Sequence, residues 1–222
     1  MTYAALVRAR RMTRRFASEP AVPREVLAGL LDLAAFAPSA GHTQGAEYVV
    51  LSSADEVATF WEAATPSSAE SASPARRAWL AGVREAPLLI LCLADEGAYR
   101  QRYAAPDKGG RAPDAQDWPV PYWLTDVAMG AMILLLGAQD AGLGALFFGV
   151  PGESQSGVKA AFGIPPDRVI VGMIALGTPA SRHRSRSLDR PRRRGADITH
   201  WGQFGAPRER ADPPSARMPG RP

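Results

Sequence analysis

Tyr122-Trp123-Leu124-Thr125-Asp126-Val127-Ala128-Met129-Gly130-Ala131-Met132-Ile133-Leu134-Leu135-Leu136-Gly137-Ala138-Gln139-Asp140-Ala141 decides the fold, because it is apolar nearly all round at helical spacing. A helix on the outside of a globular protein carries one apolar stripe, whereas one apolar on every side has to be enclosed. This segment is therefore expected as the central buried helix. Its longest unbroken apolar run, around residues 127–136, is too short to cross a bilayer. Gly142 and Gly144 end the helix and open a strand over residues 146–150. Upstream, Pro87-Leu88-Leu89-Ile90-Leu91-Cys92-Leu93 and Tyr48-Val49-Val50-Leu51 read as buried strands, and downstream a fourth covers residues 169–177. Helices are expected over residues 2–11 with Leu6 and Val7 inward, from Pro23 until Pro38, from a cap at Asp55 through Trp61, and over 153–162. At least four strands separated by helices thus surround one core. Residues 65–74 and 104–121 read as loops, the second long enough to be functional or disordered. The folded domain is expected over residues 1–205, and the Pro/Arg/Gly-rich stretch 206–222 as a disordered tail.

At 222 residues, 46% apolar and 22% charged, the chain suits a soluble globular protein and not a disordered polyampholyte. The net charge of +4 is unevenly divided. Residues 182–222 hold eleven arginines against four acidic residues, and the first 181 residues are net negative. The basic character belongs to the C-terminal stretch, and by itself it does not imply a nucleic-acid partner. A single cysteine, Cys92, excludes an internal disulfide and a thiolate-rich zinc site, and in its apolar strand it is expected to be an inert buried thiol. The start, Met1-Thr2-Tyr3-Ala4, reaches Arg8 without an apolar signal core, so a cytoplasmic location without a membrane partner is expected.

Two segments carry chemistry. Arg8-Ala9-Arg10-Arg11-Met12-Thr13-Arg14-Arg15-Phe16 sets Arg10 and Arg14 four residues apart, so that a continuing helix would aim both at one dianion. Taken alone, the cluster reads more readily as a solvated basic turn. The loop Pro38-Ser39-Ala40-Gly41-His42-Thr43-Gln44 joins a helix to a strand through small residues. These let main-chain groups approach a planar ligand, while Ser, Thr and Gln supply hydrogen bonds. Alone, it is a well-formed connection, and His42 an ordinary loop histidine.

Together these pieces resemble the FMN-dependent nitroreductase family. The resemblance runs from the basic start through the Ala-Pro-Ser-Ala-Gly-x-Thr-Gln loop, Ala86-Pro87-Leu88-Leu89-Ile90 and Ala141-Gly142-Leu143-Gly144. It closes on Arg192-Arg193-Arg194-Gly195-Ala196-Asp197-Ile198-Thr199-His200-Trp201-Gly202-Gln203-Phe204, and so covers residues 5–204 in order. It implies an α+β fold, with a mixed central sheet flanked by helices, assembled as an intertwined homodimer with FMN at the interface. By matched position, Arg10 and Arg11 would hold the flavin phosphate and ribityl end. Arg14 would lie near the pyrimidine edge, and Pro38, Ser39, Ala40 and His42 would line the ring. Phe148 and Gly149 would offer a main-chain donor at flavin N5, and Arg193 and Arg194 would complete the phosphate grip. Met12 stands where the family usually has a serine, and Gly45-Ala46 where Pro-Trp is common.

The activity this implies is a ping-pong oxidoreductase that takes hydride from NAD(P)H and passes reducing equivalents to a small electron-poor acceptor, a nitroaromatic or quinone. No acid–base dyad, triad or metal cluster is visible, since histidine occurs only at 42, 183 and 200; the cofactor does the chemistry and no catalytic side chain is assigned. Specialised reactions on the same fold are the alternatives: reductive dehalogenation, azoline or peptide dehydrogenation, and flavin fragmentation. A non-catalytic flavin-binding protein is the alternative outside enzymes. Trp118-Pro119-Val120-Pro121-Tyr122-Trp123 reads either as dimer-core packing or as a lid, and residues 99–103 as an exposed helix that could touch substrate.

Overall fold

The computed structural model describes residues 1–65, 73–110, 118–180 and 189–206. The chain separates into two compact units, Met1–His183 and Arg184–Pro222. The core of the first unit is organised by β2 (Leu88–Asp95), whose unbroken apolar run is buried on both faces. Leu89, Leu91 and Leu93 point into one apolar cluster, and Leu88, Ile90, Cys92 and Ala94 into another, as the two-residue period of a strand requires. β2 pairs antiparallel with β1 (Ala46–Leu51) on one side and β4 (Arg168–Gly177) on the other, and β4 pairs antiparallel with β3 (Gly144–Phe148). The order is β1-β2-β4-β3, so β1 and β3 are the two edges. The parallel component of the sheet is a single bridge between Met12 and Ala145 at the β3 edge.

Helices cover both faces. α3 (Ala54–Ala64), α4 (Pro74–Arg84) and α7 (Gln155–Ala161) enclose the first cluster through Phe60, Trp61, Val83 and Val158. α2 (Arg24–Ala34), α5 (Glu96–Tyr103) and α6 (Tyr122–Asp140) enclose the second through Leu30, Tyr99, Val127 and Leu134. α6 touches all four strands, which makes it the central helix expected from its composition. Its 19 residues are, by length and composition, enough to cross a membrane, which the unbroken apolar run alone did not indicate. Burial is nevertheless one-sided: Met129 and Met132 on the opposite face remain 39% and 44% exposed.

Local readings differ in several places: β3 runs over Gly144–Phe148 and not 146–150, and α2 ends at Ala34, short of Pro38. α1 spans Tyr3–Ala9 and buries none of its residues; Val7 faces outward, because this short helix lies on α6 at the periphery. Ser53, not Asp55, caps α3: its hydroxyl accepts the Glu56 N–H while the Glu56 carboxylate accepts the Ser53 N–H, a capping box. Tyr99, read as part of an exposed helix, is fully buried. The tail at 207–222, the middle of both long loops and Arg182, Arg184 and Arg186 lie outside the described residues.

Candidate functional site

The basic segment sits on the β3 edge. α1 ends at Arg10, whose ψ of 130° leaves the helix, so Arg10 and Arg14 are not stacked on a helical face. Met12 instead bridges to Ala145, the Thr13 N–H donates to the Ala145 carbonyl at 2.9 Å, and Phe16 is buried beside Pro179. The segment is stitched down between its arginines. A Cβ on Gly144 would come within 2.6 Å of the Thr13 hydroxyl, so glycine permits the close pass. Arg11 Nη1 donates to the carbonyls of Arg8 and Arg10 at 2.5 and 2.9 Å, and Arg14 Nη1 to that of Met12 at 3.2 Å. Each guanidinium is oriented by main chain, and among the described ion pairs neither Arg11 nor Arg14 meets a carboxylate. With five donors apiece, they retain capacity for an anion.

At the other end of the same strand stand Phe148 and Gly149. Phe148 stacks on Trp61 at 5.7 Å with rings 3° from parallel, and meets Phe60 and Trp79 edge-on. Gly149 has open space where a Cβ would lie. The strand from Ala145 to Phe148 is roughly 10 Å long, which suits a ribityl chain running from the arginines to this open main chain.

Pro38, Ser39, Ala40 and His42 stand elsewhere, in the loop that feeds β1 on the opposite edge. Three residues there have positive φ: 64° at Gly41, 56° at His42 and 57° at Gln44. Such angles strain a side-chain-bearing residue and need support from their surroundings. Four hydrogen bonds supply that support. The Ala40 N–H donates to Asp126 Oδ2 at 2.8 Å, the Gln44 N–H to Ser39 Oγ at 2.8 Å, Arg102 Nε to the Gly41 carbonyl at 2.9 Å, and the Thr43 hydroxyl to the Ala40 carbonyl at 2.6 Å. His42 is exposed, its Nε2 2.9 Å from Gln44 Nε2. Beneath the loop is a recess of about 200 Å³, lined by Leu31, Ser39, Gln44, Tyr48, Tyr99 and Asp126. Burial pushes the Tyr48 and Tyr99 hydroxyls up to about 12, so both are protonated donors at neutral pH.

One chain does not bring these two groups together. From Ala145, opposite Leu176, to Ala46, whose ladder leads through Ala94 to Val169, lie three strand spacings and seven residues of β4. That is roughly 14 Å across and 23 Å along, about 27 Å in all.

The second unit carries the C-terminal arginines. Arg193 and Arg194 both turn onto Asp197: Arg193 Nη2 donates to its carbonyl, the Arg194 N–H to Oδ2 at 2.7 Å, and Arg194 Nη2 lies 3.3 Å from Oδ1. His200 and Phe204 rings meet at 4.3 Å, and Phe204 is 93% exposed.

Sequence reasoning missed Asp126 and placed Tyr99 on an exposed helix, whereas both are buried. Asp126 is 4% exposed and accepts from Ala40, from the Tyr99 hydroxyl at 2.7 Å and from Thr125 at 3.2 Å. A lone carboxylate inside an otherwise apolar helix was the available signal, since such a group is buried only when hydrogen-bonded. The aromatics at Trp118, Tyr122 and Trp123 gather with Tyr103 into one edge-on cluster of this chain. Cys92 is buried and its thiol is pushed up to about 12 by desolvation, as an inert core thiol should be.

The Nitroreductase family model matches residues 7–178. A Methanothermobacter thermautotrophicus protein named as an NADH dehydrogenase/NAD(P)H nitroreductase is 25% identical over 190 residues, 84% of this chain and 82% of its own. Among solved structures, nitroreductase CinD from Lactococcus lactis, determined with nicotinic acid, superposes with a TM-score of 0.74 at 16% identity, covering 91% of this chain and all of its own. An NADH oxidase structure from Clostridium acetobutylicum matches at 25% identity and a TM-score of 0.56, over 78% of this chain and 87% of its own.

Proposed function

The chain belongs to the nitroreductase family and is an NAD(P)H-dependent oxidoreductase, and from that premise we propose that it works as an FMN-binding homodimer reducing a small electron-poor acceptor. The observation that carries this reading is the arginine segment stitched along the edge strand whose far end is the open main chain of Gly149. The donor set fits the cofactor: Arg10, Arg11 and Arg14 suit the phosphate and the electron-rich pyrimidine edge, and Gly149 leaves room for a planar ring. Arg193 and Arg194 would add to the phosphate grip. Bound FMN would supply the redox step, accepting hydride from a nicotinamide and releasing reducing equivalents to a nitroaromatic or quinone. The chain's own residues bind it, orient it and offset its negative charge.

Two observations support homodimerisation. The loop with Pro38, Ser39, Ala40 and His42 lies on the edge opposite the arginines, and a site drawing one group from each of two copies would unite them. Apolar surface is also uncovered on this chain: Leu33 on α2 and Phe36 in the turn after it are 52% and 83% exposed, alongside Met129 and Met132 on α6. An uncovered face of that kind marks an interface. The partners in this reading are NAD(P)H, the acceptor and a second copy, in the cytoplasm, with no role for nucleic acid or membrane.

The test is the visible spectrum of the purified chain with FMN and with riboflavin, followed by anaerobic reduction with NADH and with NADPH. FMN should bind far more tightly than riboflavin, and bleach on adding a nicotinamide donor. Equal affinity for the two flavins, or a monomer holding FMN stoichiometrically at low concentration, would refute the reading.

A further inference from the structure

We infer that Tyr99 and Asp126 are positioning residues: together they set the shape of the loop at residues 38–44, and so the wall this loop offers a bound flavin. The inference rests on the flavin reading above. Asp126 Oδ2 receives two donors, the Ala40 N–H at 2.8 Å and the Tyr99 hydroxyl at 2.7 Å. The Tyr99 oxygen lies 3.3 Å from Ser39 Oγ, and Ser39 Oγ receives the Gln44 N–H at 2.8 Å. One carboxylate on the central helix therefore holds Ala40 directly and Gln44 through Tyr99 and Ser39. Between those two anchors fall Gly41 and His42, two of the loop's three positive-φ residues, with Gln44 itself the third. A backbone in that region persists only where its surroundings over-determine it.

Core packing gives no reason for the carboxylate. Its neighbours on the buried face of α6, Trp123, Val127, Gly130 and Ala131, are apolar or small, and burying a charge among them is unfavourable unless hydrogen bonds compensate. The compensation goes to the loop. Tyr99 is committed in the same way. A Cβ on Gly45 would lie 2.5 Å from Tyr99 Cε2, so the ring occupies the space that a larger residue at 45 would need. Where the family commonly carries Pro-Trp after the glutamine, this chain has Gly45-Ala46, and the Tyr99 ring supplies the missing bulk from α5. A further consequence is that the Ala40 amide is taken by Asp126 and the Ala40 carbonyl by Thr43. The loop therefore meets a ring chiefly through the surfaces of Pro38, Ser39 and Ala40.

The test uses the full chain with Tyr99→Phe, which removes one oxygen and keeps the ring, and Asp126→Asn, which keeps the shape and one acceptor oxygen. Amide hydrogen exchange across residues 38–45 is read without flavin, and FMN titration then gives affinity and the absorption and fluorescence of the saturated protein. Exchange at Ala40 and Gln44 should accelerate about tenfold or more in both variants. FMN should bind about 2- to 10-fold more weakly, the range of one ordinary net hydrogen bond. The bands of the bound flavin should shift. A lower melting temperature with unchanged flavin affinity and spectrum means a merely structural pair, and overturns the inference; so does unchanged loop exchange. If Asp126→Asn does not fold, Tyr99→Phe alone decides. Wild-type protein that takes up no FMN would refute the flavin reading instead, and is told apart because loop exchange is measured without flavin.

Discussion

Gly45→Ala adds a single methyl group at a buried position with no free space around it. The new Cβ would meet Tyr99 Cε2 at 2.5 Å and the Asp95 carbonyl oxygen at 3.1 Å. Gly45 is itself held, since its carbonyl accepts the Asp95 N–H at 2.9 Å where β1 and β2 begin to pair. Relief must therefore come from the ring, which would have to move about 0.9 Å to reach the 3.4 Å of ordinary contact. Moved away from Asp126 by that amount, the 2.7 Å hydrogen bond would stretch to about 3.6 Å, beyond a useful length. Overpacking costs about 1–3 kcal/mol, and leaving a buried donor and acceptor partly unmatched adds about 1–2 kcal/mol. The sum is roughly 2–5 kcal/mol, which for a domain of this size lowers Tm by about 5–15 °C. Urea and thermal denaturation measure it directly. Tyr99→Leu should destabilise by itself but remove most of the additional cost of Gly45→Ala, so the double-mutant cycle should show strong coupling. A loss below about 1 kcal/mol, or additive effects in the cycle, would refute the steric reasoning.

Arg10→Ala and Arg14→Ala should each weaken FMN binding by about ten- to a hundred-fold through a lost charge-assisted contact, whereas Arg24→Ala on the exposed start of α2 should leave it unchanged; equilibrium titration of flavin fluorescence separates them. Stability should decline as pH rises above 9. Cys92, Tyr48 and Tyr99 all sit at about 12 in the folded chain against ordinary values of 9.0, 10.0 and 10.0. Their neutral forms are favoured by folding, so that contribution is complete below pH 9 and is lost between 9 and 12. Denaturation midpoints at pH 8, 10 and 11 check this, and Tyr99→Phe should flatten the decline. Ser53→Ala should cost about 1 kcal/mol by opening the capping box of α3. The main-chain N–H groups of Ser53 and Ser52, with the Ser53 hydroxyl, hold the Glu56 carboxyl below its ordinary value, so the carboxylate's half of the box is present at neutral pH and fades as acid protonates Glu56; a Glu56→Ala penalty undiminished at pH 3 would contradict the assignment.

The elements of the sheet and its central helix were legible in the sequence because burial imprints itself on composition. The run through β2 from Leu88 to Ala94 is apolar because helices cover both its faces, and α6 is apolar on the face it lays across four strands, while Met129 and Met132 stand on its uncovered face. The same signal does not carry strand direction: a two-sided strand reads alike in parallel and antiparallel ladders, and the connections alone make these antiparallel. The ordered motifs of the basic start, the small-residue loop and the Gly-Leu-Gly turn identified the family, since their spacing survives divergence that erases overall identity. What they left undetermined was where the pieces meet. Arg10 and Arg14 share a spacing that suits a helix, yet pairing with β3 ends the helix at Arg10, a contact between residues 133 positions apart in the chain. Tyr99 looked exposed because its own helix is polar, and Asp126 looked incidental because its own helix is apolar. Each makes sense only against the other and against Ala40, a convergence of three distant segments that no local pattern encodes. Local propensity and hydrophobic period thus determined the parts by themselves. The tertiary structure alone decided which polar groups face one another, because hydrogen bonds act over about 3 Å in space and are indifferent to distance along the chain.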